Sequence, residues 1–303
     1  MWHPSIFKMI GIPHQMTDSF ADHFHATPDG PRLHYRDYPA VGEATGVPVV
    51  CLHGLTRNVK DFEDLAPMIA ALGRRVIVVS MRGRGRSDYD PQPERYQPLT
   101  YAIDLTGMLD ALALEKVVFI GTSMGGLITM ILASTMPERF AAAVINDIGP
   151  EISQAGIDRI MSNVSSRDPV ASWAEAAQRT KDANLETFPT RTDDAYWDNF
   201  ARKTWIEMDD GRLRLDYDGA IIDQMGGNEP LPDLWPFFNA LKDIPTLSVR
   251  GGITDLLTTE TIAKMRAAKP DLLTVNVPDV GHAPFLTEPE AWAEIEALLG
   301  RVA

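Results

Sequence analysis

The chain has 303 residues, of which 45% are hydrophobic and 23% charged, a composition typical of an ordinary globular protein with one large domain or two smaller ones. Its net charge of −14 at pH 7 argues against nucleic acid or an anionic membrane as partners, because phosphate binding needs clustered Lys and Arg. Its single cysteine, Cys51, cannot form an internal disulfide, which predicts a reducing compartment and a buried thiol.

The N-terminal residues 1–18 lack the charged start and the unbroken apolar run of a signal peptide. Their apolar side chains are suited either to packing on the body of the protein or to lining the surface of a partner. No apolar run in the chain reaches the length of a membrane span. We therefore expect a cytoplasmic protein.

Strand and helix patterns alternate through the first half of the chain. Residues 24–38 predict a β-hairpin around the turn Asp29-Gly30. Apolar spacing predicts helices over residues 59–72, with Asn58 as N-cap, and over residues 101–114. Four short, continuously apolar runs predict buried strands: residues 47–52, 75–80, 117–120 and 141–145. This rhythm predicts a mostly parallel sheet with helices on both faces.

The alternation stops between residues 151 and 236. Patterns rich in Trp and Met predict helices there, one of them running from Trp197 to Met208, before an Asp210-Gly211 turn. Strand and helix patterns then return over four segments: residues 245–249, 259–268, 272–277 and 289–299. We therefore expect an α/β core formed by residues 1–150 and 237–303, with residues 151–236 inserted as a mainly helical cap.

A Gly-rich turn follows the predicted strand at residues 117–120. It reads Gly121-Thr122-Ser123-Met124-Gly125, and a helical pattern begins at once. Gly-x-Ser-x-Gly between a strand and a helix is typical of a nucleophile elbow, a strained turn that exposes the serine hydroxyl and tolerates only very small neighbours. The first N–H groups of the helix then point to the place where an oxyanion would form. The simpler interpretation is a turn whose serine only caps the helix.

Two further polar residues, Asp255 and His282, each follow a predicted strand. In open parallel sheets, ligands gather at the carboxyl ends of the strands, so these residues and Ser123 are expected at one edge. A serine hydroxyl is a weak nucleophile that needs a neighbouring base. His282 can take its proton and later pass it to the leaving group, while Asp255 can hold the imidazole in the correct tautomer.

Five segments carry a resemblance to a known family. They are Leu52-His53-Gly54-Leu55, residues 82–88 (RGRGRSD), 121–126 (GTSMGG), 250–255 (RGGITD) and 281–284 (GHAP). In this order, they resemble the α/β-hydrolase-fold superfamily, in its capped branch of small-molecule esterases, lactonases and carbon–carbon hydrolases. The resemblance covers residues 24–299 and implies Ser123 as nucleophile, Asp255 as acid and His282 as base. It also implies an oxyanion hole formed by the backbone N–H groups of Leu55 and Met124.

Other residues near the same edge have competing interpretations. Asp147 follows the strand at 141–145, where some relatives of this fold carry the acid, although a turn or capping role is the simpler interpretation. His53 is expected to shape the oxyanion loop through hydrogen bonds. Arg57 is within reach of a substrate carboxylate, but we expect it to be exposed or ion-paired. The arginines of residues 82–88 lack the Gly-Lys-Ser/Thr of a phosphate loop, so we expect structural ion pairs.

The leading hypothesis is a serine hydrolase that cleaves small carboxylic esters or lactones through an acyl-enzyme. We expect a small-molecule, apolar ester as its partner, because the predicted cap is rich in Trp and Met, and no cofactor, because no metal cluster or dinucleotide fingerprint is present in the sequence. Perhydrolase activity would use the same triad. The alternatives are a carbon–carbon hydrolase of aromatic ring-cleavage products, disfavoured by Thr122 and by Leu55-Thr56, and a small-ligand receptor on the same fold.

Overall fold

The computed structural model describes residues 20–164, 167–224 and 232–302. The predicted segment 1–18 and parts of the predicted cap lie outside these ranges. The strands of the described residues, in chain order, are β1 (Ala21–Ala26), β2 (Arg32–Tyr38), β3 (Val49–Leu52), β4 (Val76–Val79), β5 (Val117–Thr122), β6 (Phe140–Asn146), β7 (Trp205–Glu207), β8 (Leu213–Leu215), β9 (Thr246–Gly251) and β10 (Leu273–Val277).

Eight of these strands form one sheet in the order β1-β2-β4-β3-β5-β6-β9-β10. β2 pairs antiparallel with both β1 and β4, and every pair from β4 to β10 is parallel. Because parallel neighbours need crossover connections, helices lie on both faces of this sheet. The predicted α/β fold, with a mostly parallel central sheet, is confirmed.

The helices of the described residues, in chain order, are α1 (Leu65–Ala70), α2 (Pro98–Ala111), α3 (Met124–Thr135), α4 (Gln154–Asn163), α5 (Trp173–Asn184), α6 (Asp194–Thr204), α7 (Ala220–Asp223), α8 (Trp235–Asn239), α9 (Thr259–Ala268) and α10 (Pro289–Leu299). Short 3-10 helices span Val59–Phe62, Pro93–Arg95 and Pro137–Arg139.

The core lies on both faces of the sheet, and β5 divides it. Val117 and Phe119 point to the face that carries α2 and α3, whereas Val118 and Ile120 point to the face that carries α1 and α10. All four side chains are completely buried, which explains why the sequence of this strand is apolar without alternation. Burial of each large apolar side chain contributes about 1.5–3 kcal/mol. This packing fixes β5, and with it the turn that follows.

The described residues between β6 and β9, here called the cap segment (residues 151–164, 167–224 and 232–236), pack on the core and are joined to it by a β-bridge between Arg84 and Tyr217. The cap segment contains helices α4 to α7 and the antiparallel pair β7–β8. One small apolar cluster lies within the segment, and its buried members are Val170, Ala176, Ala201, Trp205 and Leu213. The indole N–H of Trp205 donates to Thr180 Oγ1 at 3.0 Å.

The predicted helix from Trp197 to Met208 is wrong in its second half. Helix α6 ends at Thr204, and Trp205 begins β7. The Asp210-Gly211 turn, with a Gly211 φ of 80°, folds β8 back onto β7. Trp205 then contributes to the cap cluster from a strand, since tertiary packing outweighs the weak helical preference of Trp.

The predicted helix over residues 59–72 is also divided. A 3-10 turn at Val59–Phe62 precedes α1, and Asn58 caps it by accepting a hydrogen bond from Lys60 N at 2.9 Å, as predicted. The other strands and helices of the core occur close to the predicted positions. Cys51 is completely buried, and burial raises the pKa of its thiol.

Candidate active site

Ser123 lies in the turn between β5 and α3 with φ 52° and ψ −115°. A side-chain-bearing residue in such a region costs about 1–3 kcal/mol, so the surrounding structure must hold it there. Its N–H donates to Asn146 O at 2.9 Å, and its carbonyl accepts from the N–H groups of Gly126 and Leu127. The β6 backbone on one side and the first turn of α3 on the other therefore fix the serine.

The glycines around Ser123 are required by close backbone approaches. A Cβ on Gly121 would lie 2.3 Å from Gly125 O, and a Cβ on Gly125 would lie 2.1 Å from Leu52 O. Because these neighbours are backbone atoms of the central sheet and α3, they cannot move aside cheaply. The sequence prediction that only very small residues fit beside the serine is confirmed.

His282 lies between Ser123 and an aspartate. Its Nε2 is 2.9 Å from Ser123 Oγ, and its Nδ1 is 2.8 Å from Asp147 Oδ2. A carboxylate can only accept, so Nδ1 carries a proton and Nε2 is free to accept from the serine hydroxyl. The imidazole is nearly buried and the Asp147 side chain is completely buried. This chain of three groups has the geometry of a nucleophile, a base and an orienting acid.

Asp147 follows β6 directly and is held by core elements. Its Oδ1 accepts from Gly251 N at 2.9 Å, and its Oδ2 accepts from Thr254 Oγ1 at 2.7 Å in addition to His282. Its backbone has φ 55°, and its N–H donates to Val249 O at 2.8 Å. Three donors therefore compensate the burial of this carboxylate.

The structure corrects the assignment of Asp255 as the acid partner of His282. Asp255 instead forms a two-point ion pair with Arg159 of α4, with Nε–Oδ2 2.6 Å and Nη2–Oδ1 2.8 Å. The Arg159 hydrogen bonds lower the pKa of Asp255. Both aspartates follow adjacent strands, β6 and β9, so their positions along the chain could not tell them apart. Only the structure distinguishes them, because there the Thr254 hydroxyl donates to Asp147 and not to Asp255.

The two N–H groups predicted for the oxyanion hole belong to Leu55, in the turn after β3, and Met124, the first residue of α3. Both residues line the same cavity as Ser123 and His282. Within the described ranges, neither N–H donates to a backbone acceptor outside the regular elements. The first N–H of a helix has no partner inside that helix, which leaves Met124 N available to a ligand.

His53 fixes the peptide that carries the Leu55 N–H. Its Nδ1 donates to Gly54 O at 2.7 Å, and this carbonyl belongs to the same peptide group as the Leu55 N–H and points the opposite way. Its Nε2 accepts from Met81 N at 3.0 Å. Complete burial, with Arg84 as the next cause, lowers the pKa of His53 to about 4. The imidazole is therefore neutral, and its tautomer is set by these two bonds, as expected for a residue that shapes this loop.

Arg84 holds the same turn from the other side, a role that the sequence did not indicate. It is completely buried, and its Nε donates to Leu55 O at 2.8 Å while its Nη1 donates to Tyr101 Oη at 2.8 Å. Its Nη2 lies 3.5 Å from Met124 Sδ, and its Cζ lies 4.9 Å from the Tyr101 ring centre.

The expectation of ion pairing holds for the neighbours of Arg84 but not for Arg84 itself. Arg82 pairs with three aspartates and Arg86 pairs with Asp22, whereas Arg84 has no carboxylate partner in the ranges that the structure covers. An unpaired buried cation is costly, so its neutral partners and the aromatic face of Tyr101 must compensate it. A positive charge consequently lies beside both segments that carry the predicted oxyanion-hole N–H groups.

A cavity of about 1250 Å³ opens above Ser123 and His282. The core supplies its floor, and the cap segment supplies much of its wall. Apolar side chains of the wall include Leu127, Ile152, Ile157, Ile160, Val164 and Leu215. Charged side chains interrupt this apolar surface: Arg57, paired with Asp61, on the core side, and, on the cap segment, Arg159, paired with Asp255, together with Arg179 and Asp182.

A family model described as alpha/beta hydrolase fold matches residues 47–289, the range that contains the strand order and the turn of Ser123. The chain belongs to the α/β-hydrolase fold family. It is a hydrolase of this fold, and the resemblance inferred from the five segments is confirmed.

Individual members of the α/β-hydrolase family are similar over most of the chain. A 3-hydroxybutyrate-oligomer hydrolase from Cupriavidus necator is 32% identical over 278 residues, which cover 85% of this chain and 90% of the relative. A 2-(acetamidomethylene)succinate hydrolase from Mesorhizobium japonicum is 28% identical, covering 82% of this chain and 86% of the relative. The crystal structure of an alpha/beta hydrolase from Novosphingobium aromaticivorans is 42% identical, with a TM-score of 0.86, and covers 93% of this chain and 99% of that one.

None of the helices in the described ranges combines the length and the apolar character that crossing a membrane requires. Among the same residues, no group of three or more His, Cys, Asp and Glu side chains is arranged to hold a metal ion.

Proposed function

We propose that this α/β hydrolase cleaves small carboxylic esters or lactones through an acyl-enzyme on Ser123. The observation that carries the proposal is the position of His282, whose two nitrogens contact Ser123 Oγ and Asp147 Oδ2 at 2.9 and 2.8 Å. The relative from Cupriavidus necator supports the same bond type, because hydroxybutyrate units in an oligomer are joined by esters. The apolar cavity wall suits the acyl or alcohol part of such a substrate.

In the first half-reaction, Ser123 Oγ attacks the ester carbonyl carbon while His282 Nε2 accepts the hydroxyl proton. The carbonyl oxygen becomes an oxyanion that accepts hydrogen bonds from the N–H groups of Leu55 and Met124. Asp147 stabilises the imidazolium that forms. When the C–O bond breaks, His282 donates its proton to the departing alcohol, and the acyl group remains on the serine.

In the second half-reaction, water attacks the acyl-enzyme carbonyl, and His282 accepts the water proton. Collapse of the second tetrahedral intermediate returns that proton to Ser123 Oγ and releases the carboxylic acid. Each hydrogen bond to the oxyanion is expected to contribute about 10²–10³-fold to kcat.

The test is hydrolysis of nitrophenyl esters from acetate to decanoate by wild type, Ser123→Ala and Ser134→Ala. Ser134 lies on the exposed side of α3, where its hydroxyl donates to Ile131 O, so its variant is the matched control. We expect Ser123→Ala to lose about 10⁴–10⁶-fold in kcat and Ser134→Ala to stay within threefold of wild type. A wild type that is inert on every ester, or a fully active Ser123→Ala, would refute the proposal.

A further inference from the structure

Arg57 lies in the turn after β3, two residues beyond Leu55, and lines the same cavity as Ser123. Its N–H donates to Gly54 O at 3.2 Å, which closes the turn after β3. The position that a Cβ on Gly54 would occupy is 3.5 Å from Arg57 Cγ and 3.8 Å from Ser123 Cβ. Arg57 and Ser123 therefore flank Gly54 and line the same cavity.

The guanidinium of Arg57 is held rigidly. Its Nε lies 2.8 and 2.9 Å from the two carboxylate oxygens of Asp61, and its Nη2 lies 2.5 Å from Oδ1. The ring centre of Phe200, on α6 of the cap segment, is 4.4 Å from Arg57 Cζ. Asp61 fixes one edge and Phe200 covers one face, so little conformational entropy remains to be lost when a ligand binds.

One edge of this guanidinium is left for a ligand. A guanidinium has two forked edges, and Asp61 uses the one formed by Nε and Nη2. The edge formed by Nη1 and Nη2 remains, and Nη1 has no acceptor among the residues that the structure describes. Such an edge matches a carboxylate, which can accept two parallel hydrogen bonds.

The charge on this side of the cavity favours an anion. Arg57 is paired with Asp61, but Arg84, which contacts Leu55, adds a buried cation without a carboxylate partner. A second cavity arginine, Arg159, is surrounded differently, because it is paired with Asp255 and is also influenced by Asp147 and Glu186. An anionic substrate group is therefore stabilised better at Arg57 than at Arg159.

We propose that the free edge of Arg57 binds a carboxylate on the alcohol side of the substrate, so that the preferred substrates are short oligoesters of hydroxy acids with a free carboxyl end. In an ester of a 3-hydroxy acid, only an oxygen, a methine and a methylene separate the scissile carbonyl from that carboxylate, so both groups fit within the one cavity that Arg57 and Ser123 line. The rest of the substrate is apolar and suits the remaining wall. This inference rests on the proposed ester hydrolysis at Ser123.

The test compares the linear dimer of 3-hydroxybutyrate with the same dimer whose carboxylate is converted to a primary amide. We expect wild type to prefer the acid by about 30–100-fold in kcat/KM, the range of a charged hydrogen-bonded contact. The preference should fall to about one in Arg57→Met. It should fall by about tenfold in Arg57→Lys, which keeps the charge and loses the fork. Arg159→Met, the matched control, should keep the preference within threefold of wild type.

The outcomes separate this inference from the proposed function. If wild type cleaves both dimers equally well and Ser123→Ala cleaves neither, the ester hydrolase stands and the carboxylate site is refuted. Loss of the preference in Arg159→Met but not in the Arg57 variants also refutes it. If wild type cleaves neither dimer and no nitrophenyl ester, the proposed function itself fails. The wild-type ratio and Arg57→Lys decide the question even if Arg57→Met, which leaves Asp61 unpaired, does not fold.

Discussion

Replacement of Asp147 by Asn tests which carboxylate serves His282. The Asn carbonyl can still accept from Gly251 N, and its amide group can donate to Thr254 Oγ1, so we expect the protein to fold. The same amide group would then face His282 Nδ1 as a donor. The imidazole must move its proton to Nε2, where it can no longer accept from Ser123. The expected loss in kcat is about 10⁴-fold, or roughly 5 kcal/mol in activation free energy.

The parallel change Asp255→Asn should have a small effect. Its ion pair with Arg159 is partly exposed, with side-chain exposures of 36% and 20%, and pairs of this kind contribute about 0–1 kcal/mol. We expect kcat on nitrophenyl butyrate to stay within fivefold of wild type. The assay is the initial rate with both variants at equal folded concentration, checked by circular dichroism. A loss of 10³-fold or more in Asp255→Asn, together with an active Asp147→Asn, would refute this assignment of the acid.

The remaining predictions concern two residues that hold the turn after β3, Arg84 and His53. In Arg84→Met the Leu55 carbonyl loses the hydrogen bond from Arg84 Nε, so kcat for nitrophenyl esters should fall about 10–100-fold with KM little changed. Arg84→Lys should recover part of this loss, and Arg86→Met, at an exposed arginine, should stay near wild type. An unchanged kcat in Arg84→Met would contradict the role of Arg84. His53 should make folding sensitive to acid. Because burial holds its folded pKa at about 4, the unfolded chain binds a proton between pH 6.5 and 4 that the folded protein does not, and stability on the order of 3 kcal/mol is lost as the pH falls through this window. Urea unfolding at pH 7 and pH 4.5 should show that the free energy of unfolding falls less with pH in His53→Gln than in wild type. Equal losses would contradict the lowered pKa of His53.

The α/β core could be predicted from the sequence because its elements are determined locally. A strand buried on both faces must be apolar throughout, as in residues 117–120. An N-cap such as Asn58 accepts its hydrogen bond from an N–H group only two residues away. The cap was harder to predict. There the small cluster around Trp205 joins residues distant in sequence, and the strand β7 forms because the chain turns at Gly211 and supplies a partner.

The candidate site shows the same division. Ser123 could be identified because a strained turn needs its own glycines, and His282 because it follows the last strand of the sheet. The choice between Asp147 and Asp255 depends on which of two adjacent strand ends faces the imidazole of His282. The sequence around each aspartate does not indicate which one does. The role of Arg84 could not be predicted either, because its sequence context is the same as that of the ion-paired arginines Arg82 and Arg86.

The two aspartates differ in which part of the protein holds them. All the donors to Asp147 other than His282 belong to β9 and the turn after it, so its position depends on the core alone. Asp255 occupies the neighbouring strand end, and its carboxylate is bound by α4 of the cap segment through Arg159. Among the described residues, Asp147 therefore has no direct hydrogen bond to the cap segment, which reaches the proposed triad only at the loop of His282, where Gly281 N donates to Thr187 O at 2.7 Å. A triad based on Asp255 would not have this property, because the same carboxylate would have to orient His282 and bind the cap at once.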